Sequence, residues 1–135
     1  VAKFVATDYD ITIGGTDFSA SLAAVTLDVS ADEQETTAFG ATFRSRIGGL
    51  KDASVSLDFH QDFGAASVDA TLFPLIGGTA EIVIKPTSSS ASATNPSYTF
   101  TALVTQYQPF ASNVGDLATL SVTWPVTGAV TRGTA

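Results

Sequence analysis

Residues 52–63, Asp52-Ala53-Ser54-Val55-Ser56-Leu57-Asp58-Phe59-His60-Gln61-Asp62-Phe63, decide the fold class. Side chains of an extended strand point alternately to its two faces. Val55, Leu57 and Phe59 therefore share one face, and Ser54, Ser56, Asp58 and His60 share the other. An apolar face backed by a polar one marks a half-buried strand in a sheet.

The same period of two recurs on both sides of this stretch. Over 23–30, Val25, Leu27 and Val29 oppose Thr26, Asp28 and Ser30, and over 119–124, Leu120, Val122 and Trp124 oppose Thr119, Ser121 and Thr123. Residues 80–85 place Ile82 and Ile84 against Glu81, Val83 and Lys85. Residues 98–107 read as a further strand, and 4–13 as one or two short ones. Roughly six to eight strands in a chain of this length predict a sandwich or a barrel. One short helix is expected over 67–75, with Ser67 at its N-cap, Asp69 in its first turn and Gly77-Gly78 as its stop. Val68, Leu72 and Ile76 give it an apolar stripe, and Pro74 predicts an irregular end.

Two stretches read as long loops. Residues 31–50 begin acidic (Asp32, Glu33, Glu35) and end basic and glycine-rich (Arg44, Arg46, Gly48, Gly49). This stretch also holds Phe39, Phe43 and Ile47, so it is expected to order against something; an extra hairpin packed on its own domain stays open as the alternative. Residues 86–96 form a Ser/Ala/Thr run, read as a flexible loop.

The composition narrows function. The 135 residues fit one domain, 1–135, and only 14% are charged, with a net charge of −7. That balance argues against a nucleic-acid-binding surface, which depends on cationic side chains. There is no cysteine and a single histidine, which removes disulfide frameworks, thiol nucleophiles and Cys-rich zinc sites. No apolar run is long enough to cross a bilayer as a helix, so no membrane insertion is expected. The opening Val1-Ala2-Lys3-Phe4 lacks the basic-then-apolar order of a secretory signal.

No catalytic constellation emerges. His60 and Asp62 fit a base and its orienting carboxylate, yet no nucleophile accompanies them. Asp8-Tyr9-Asp10 and Asp32-Glu33-Gln34-Glu35 do not match a calcium-loop pattern and read as solvated carboxylates. Ile-Gly-Gly at Ile13, Ile47 and Ile76 reads as turns and caps, not as phosphate cradles. Phe73, Tyr107 and Trp124 read as core in preference to a carbohydrate platform. The chain is expected to be no enzyme and to take no cofactor or metal.

The strands instead point to assembly. They carry few lysines, the usual guards of an exposed sheet edge, and pairing edges around a ring removes them. Several copies donating a few strands each would enclose a wide pore, which one chain of this length cannot do alone.

At this point the residues resemble a family. The order Gly14-Gly15-Thr16-Asp17-Phe18-Ser19, Val25-Thr26-Leu27, Ala31-Asp32-Glu33 and Thr37-Ala38-Phe39-Gly40 is similar to the major tail tube proteins of long-tailed bacteriophages. The resemblance continues through Gly49-Leu50-Lys51-Asp52-Ala53, Phe59-His60-Gln61-Asp62-Phe63 and Ser67-Val68-Asp69-Ala70-Thr71-Leu72-Phe73-Pro74-Leu75. It runs from about residue 3 to 124, and lies nearest the short tube proteins of actinobacterial phages and gene-transfer agents.

The resemblance implies an all-β fold with one short flanking α-helix: a β-sandwich whose strands contribute to an inter-subunit β-barrel. It implies hexameric rings stacked into a hollow virion tail, assembled in the host cytoplasm and threaded by DNA without specific binding. Expected partners are further copies of the chain, a tape measure protein inside the tube, and terminator and distal tail proteins at its ends. In that family a long loop reaches the adjacent ring. Residues 31–50 are its natural counterpart, so Asp32, Glu33, Glu35, Phe39, Phe43, Arg44, Arg46 and Ile47 are the inter-ring contact candidates. Their acidic start and basic end offer head-to-tail charge complementarity. An acidic, hydroxyl-rich lumen would let DNA slide, so Asp28, Ser54, Ser56, Asp58 and Asp62 are the candidates to face it. A capsid decoration protein or a bacterial Ig-like surface module remains the alternative.

Overall fold

The computed structural model describes residues 3, 5–65 and 67–134. The chain runs β1 (Asp10–Ile13), β2 (Thr16–Asp17), β3 (Leu22–Glu35), β4 (Arg46–His60), α1 (Val68–Leu72), a 3-10 turn (Phe73–Leu75), β5 (Thr79–Lys85), β6 (Ser97–Leu103) and β7 (Thr119–Gly133). All seven strands form one antiparallel sheet in the order β2-β1-β5-β6-β7-β4-β3.

The long strand β7 joins two wings of this sheet. Its first half pairs with β4, from His60↔Thr119 to Ser54↔Pro125, and its second half pairs with β6, from Ala102↔Val126 to Ser97↔Gly133. The wings face one another across a shared core. One contributes Ile11, Ile13, Ile82, Phe100 and Ala102; the other contributes Val55, Leu57, Phe59, Leu120, Val122 and Trp124. Phe18 meets Phe59 edge-on at 5.8 Å between ring centres. The apolar face read from residues 52–63 is therefore the buried one, and each such side chain contributes about 1.5–3 kcal/mol on leaving water.

The helix is short, as Pro74 predicts. Val68 and Leu72 are fully buried, while Ile76 falls beyond the 3-10 turn and is 46% exposed, so the expected apolar stripe ends one turn early. Ser67 occupies the N-cap without a side-chain bond to the helix. The Ile-Gly-Gly triplets divide. Gly14 and Gly15 both have positive φ (57° and 87°) and make the two-residue β1–β2 hairpin turn. Gly48 and Gly49 instead lie within β4, at an irregularity where one extra β4 residue interrupts the pairing between Ala31↔Lys51 and Glu33↔Gly48. A Cβ on Gly49 would stand 3.2 Å from that of Asp32, a tight contact that the glycine avoids where the strands approach closely.

Half of the expected loop over 31–50 is strand. β3 runs on to Glu35 and β4 begins at Arg46, leaving ten residues, 36–45, as the connection. The strand read over 119–124 likewise continues through Pro125 to Gly133. That read over 98–107 stops at Leu103, and in the one read over 4–13 only Asp10–Ile13 pairs, with Phe4 outside the described residues. The loop 86–96 is pinned from within. Buried Asn95 accepts from the Thr87 N–H and donates through Nδ2 to the Ser89 and Ser90 carbonyls.

Candidate assembly surfaces

The β3–β4 hairpin leaves the body as an arm. Every residue from 28 to 52 is exposed, so no side chain on the arm packs against the core. At its end the Thr36 N–H donates to Ser45 O (2.8 Å), and Ser45 N–H donates to Thr37 Oγ1 (2.9 Å). A turn follows, closed by Ala41 N–H to Ala38 O, with Gly40 at φ 91°. Phe39 occupies the leading corner of that turn and is fully exposed; Phe43 (87%), Ile47 (60%) and Leu50 (82%) are also left in solvent. The sequence candidates Phe39, Phe43 and Ile47 are thus gathered on one projecting element. Exposed apolar side chains grouped on one projecting element make it a candidate interaction surface.

The charges of the arm are arranged otherwise than head-to-tail complementarity requires. Arg44 pairs with Glu35 at 3.0 Å, and Arg46 pairs with Glu33, both across the hairpin. The acidic start and the basic end neutralise one another within one chain because antiparallel pairing sets Glu35 directly opposite Arg46. Asp32 stands at the irregularity beside Gly49.

The second surface is the polar face of the β7–β4–β3 wing. Register places Thr26, Ser56 and Thr123 in one row, Asp28, Ser54 and Pro125 in the next, and Ala24, Asp58 and Ser121 in a third. Ser56 and Thr123 share a hydroxyl–hydroxyl bond of 3.2 Å. Four lumen candidates, Asp28, Ser54, Ser56 and Asp58, therefore share one face, and none of the residues in these rows is cationic. Asp62 does not join them. β4 ends at His60, and the Asp62 carboxylate accepts the Gly64 N–H (2.8 Å) while its carbonyl accepts the Asp69 N–H, holding the loop to the helix. Asp62 is a turn former because the extended backbone stops two residues before it.

The edge of this wing is open. β3 closes one end of the sheet order, so among the described residues no strand pairs with its outer side along 14 residues. It contains no lysine and no proline. The other end of the sheet is β2, only two residues long.

A groove of about 380 Å³ opens where the wings part. Val25, Leu27 and Val29 line one wall, and Tyr9, Ile84 and Tyr98 belong to the other. Lys85 is held nearby by Asp10 at 3.3 Å.

The remaining candidates have structural places. Trp124 is buried and donates through Nε1 to the Gln106 carbonyl, and Tyr107 is nearly buried, while Phe73 is 63% exposed; they make no common platform. The Tyr107 hydroxyl donates to Asp69 (2.8 Å) and receives the Gln61 amide (3.1 Å). Burial, aided by the Asp69 carboxylate, pushes it up to about 12. Hydrogen bonds from the Ser19 hydroxyl and N–H hold the Asp17 carboxyl below its ordinary value. Among the described residues no three His, Asp or Glu side chains gather as a metal site. No helix among them is long and apolar enough to cross a membrane.

No family model and no curated protein matches the chain. Solved structures do. A chain in the virion of a native gene transfer agent particle superposes with a TM-score of 0.74 at 16% identity, over 93% of this chain and 95% of that one. A chain in the tail of an empty gene transfer agent particle, refined helically with C6 symmetry, gives 0.62 at 17% identity, over 85% and 83%. At that identity what is shared is the fold: a mostly β chain with one short helix and a single antiparallel sheet has the architecture of chains in gene transfer agent particles.

Proposed function

We propose that the chain is a structural protein of a phage-tail-like particle, and within it a subunit of the hollow tube through which DNA leaves the virion. The observation that carries this reading is a fold shared over most of its length with a chain of a gene transfer agent tail. The tail particle's C6 symmetry supports rings of six copies for this chain as well. An unpaired 14-residue edge supports pairing of neighbouring copies strand to strand into a continuous barrel. In such a barrel the hydroxyl and carboxylate face bearing Asp28 and Asp58 lines the lumen, where like charge keeps DNA from adhering. The arm reaches toward the next ring. The chain acts by assembly and not by catalysis, and the tape measure and end-closing proteins of a tail are its further partners.

Electron microscopy of the purified chain tests this. Rings or tubes with a central channel are the expected result. Monomers, or trimers that bind only to capsid shells, would replace this reading with that of a surface module or a decoration protein.

A further inference from the structure

We infer that the aromatic tip of the arm, led by Phe39, seats in the groove of a second copy between Val25, Leu27 and Val29 on one side and Ile84 and Tyr98 on the other. The inference rests on the reading that copies of the chain assemble, and adds which two surfaces meet. The tip is an apolar knob that nothing among the described residues covers, and the groove is an apolar socket of about 380 Å³, roomy enough for aromatic rings.

The knob cannot fill its own socket. β3 runs between them from Val29 to Glu35, and at about 3.3 Å per residue those six steps alone hold the two roughly 20 Å apart. Knob and socket are different surfaces of one molecule, so their contact is head-to-tail and propagates as a ring or a filament instead of closing as a pair.

Charge agrees with this occupant. Arg44 and Arg46 are already neutralised by Glu35 and Glu33, and the tip itself, residues 36–43, carries no charge, in a chain with six Lys+Arg against thirteen Asp+Glu. Tyr9 in the socket is flanked by Asp8 and Asp10, and of these two only Asp10 forms an ion pair among the described residues. An uncharged tip therefore meets the acidic rim without like-charge repulsion. A small polar ligand fits the groove poorly, because its one cation, Lys85, is already held by Asp10.

The chain has no cysteine, which makes a direct test clean. The double variant Phe39→Cys with Val29→Cys, oxidised under assembly conditions, is expected to give a ladder of covalently linked copies. Either single variant, and Phe39→Cys combined with Ser121→Cys on the polar face, should give at most linked pairs. Phe39→Asp, a change at an exposed position, should raise the concentration needed for assembly about tenfold or more. No ladder from the double variant, or assembly of Phe39→Asp at the parent's concentration, overturns the proposal. Microscopy of the same samples separates the two readings, since rings without a ladder would leave the tube intact and remove only this contact.

Discussion

Arg46 pairs with Glu33 on the facing strand of its own hairpin, two residues from the position directly opposite it. The bond links the two strands of an arm that has no body to lean on. Exposed ion pairs contribute only about 0.2–1 kcal/mol, so this one sets the shape of the arm more than the stability of the chain. Arg46→Glu is expected to leave thermal unfolding of the body unchanged and to hinder assembly. Combining it with Glu33→Arg should restore assembly, as followed by light scattering. Restoration fails if Arg46 answers instead to a carboxylate of a neighbouring copy.

Leu57 tests the core. It is fully buried, directly opposite Val25 on one side and Val122 on the other. Leu57→Ala removes about 2–5 kcal/mol, the usual range for a buried leucine left as a cavity. Urea unfolding followed by the fluorescence of Trp124, the single tryptophan, measures this. A loss below about 1 kcal/mol would mean that the two wings do not close on one another.

How much of this was legible follows from what makes a pattern. Val55, Leu57 and Phe59 alternate because one face of β4 is buried in this very chain, so the body of the sheet could be read directly. Residues 31–35 and 46–50 are equally extended, yet both of their faces meet solvent, and no burial imposes a period on them. The alternation read over 119–124 stops short of Pro125, which lies at the last pair of β7 with β4, where the strand passes from one partner to the other and a missing donor is tolerated. Of the candidate surfaces, the row holding Asp28, Ser54, Ser56 and Asp58 follows from alternation plus register. Asp62 shared the parity of these β4 residues but not the strand. The groove was invisible, since it joins residues 9, 25 and 98, which no local pattern connects.

Tyr107 gives the fold an alkaline limit. Its hydroxyl holds Asp69 and Gln61, and its folded value of about 12 lies above the ordinary 10. A value raised by folding contributes stability that is complete below pH 10 and is lost as pH rises through about 12. The urea midpoint should therefore fall over that window. Tyr107→Phe should cost about 1 kcal/mol at neutral pH and flatten that part of the decline. An equally steep decline in the variant would place the alkaline limit elsewhere.

The polar face carries the functional prediction. Asp28 and Asp58 are exposed and take no part in the core or in an ion pair recorded for the described residues. Replacing both with lysine should leave folding and tube formation intact, because both side chains are exposed and outside the core. If this face lines the channel as proposed, the change would turn part of the wall cationic. Each phosphate neutralised by a bound cation releases counterions, so DNA that slides past carboxylates would adhere to lysines, the more strongly at low salt. Tubes of Asp28→Lys/Asp58→Lys are expected to retain duplex DNA at 50 mM salt and release it at higher salt, and particles built from them should deliver DNA poorly. Normal delivery, or DNA retention that does not respond to salt, would mean that this face looks away from the channel.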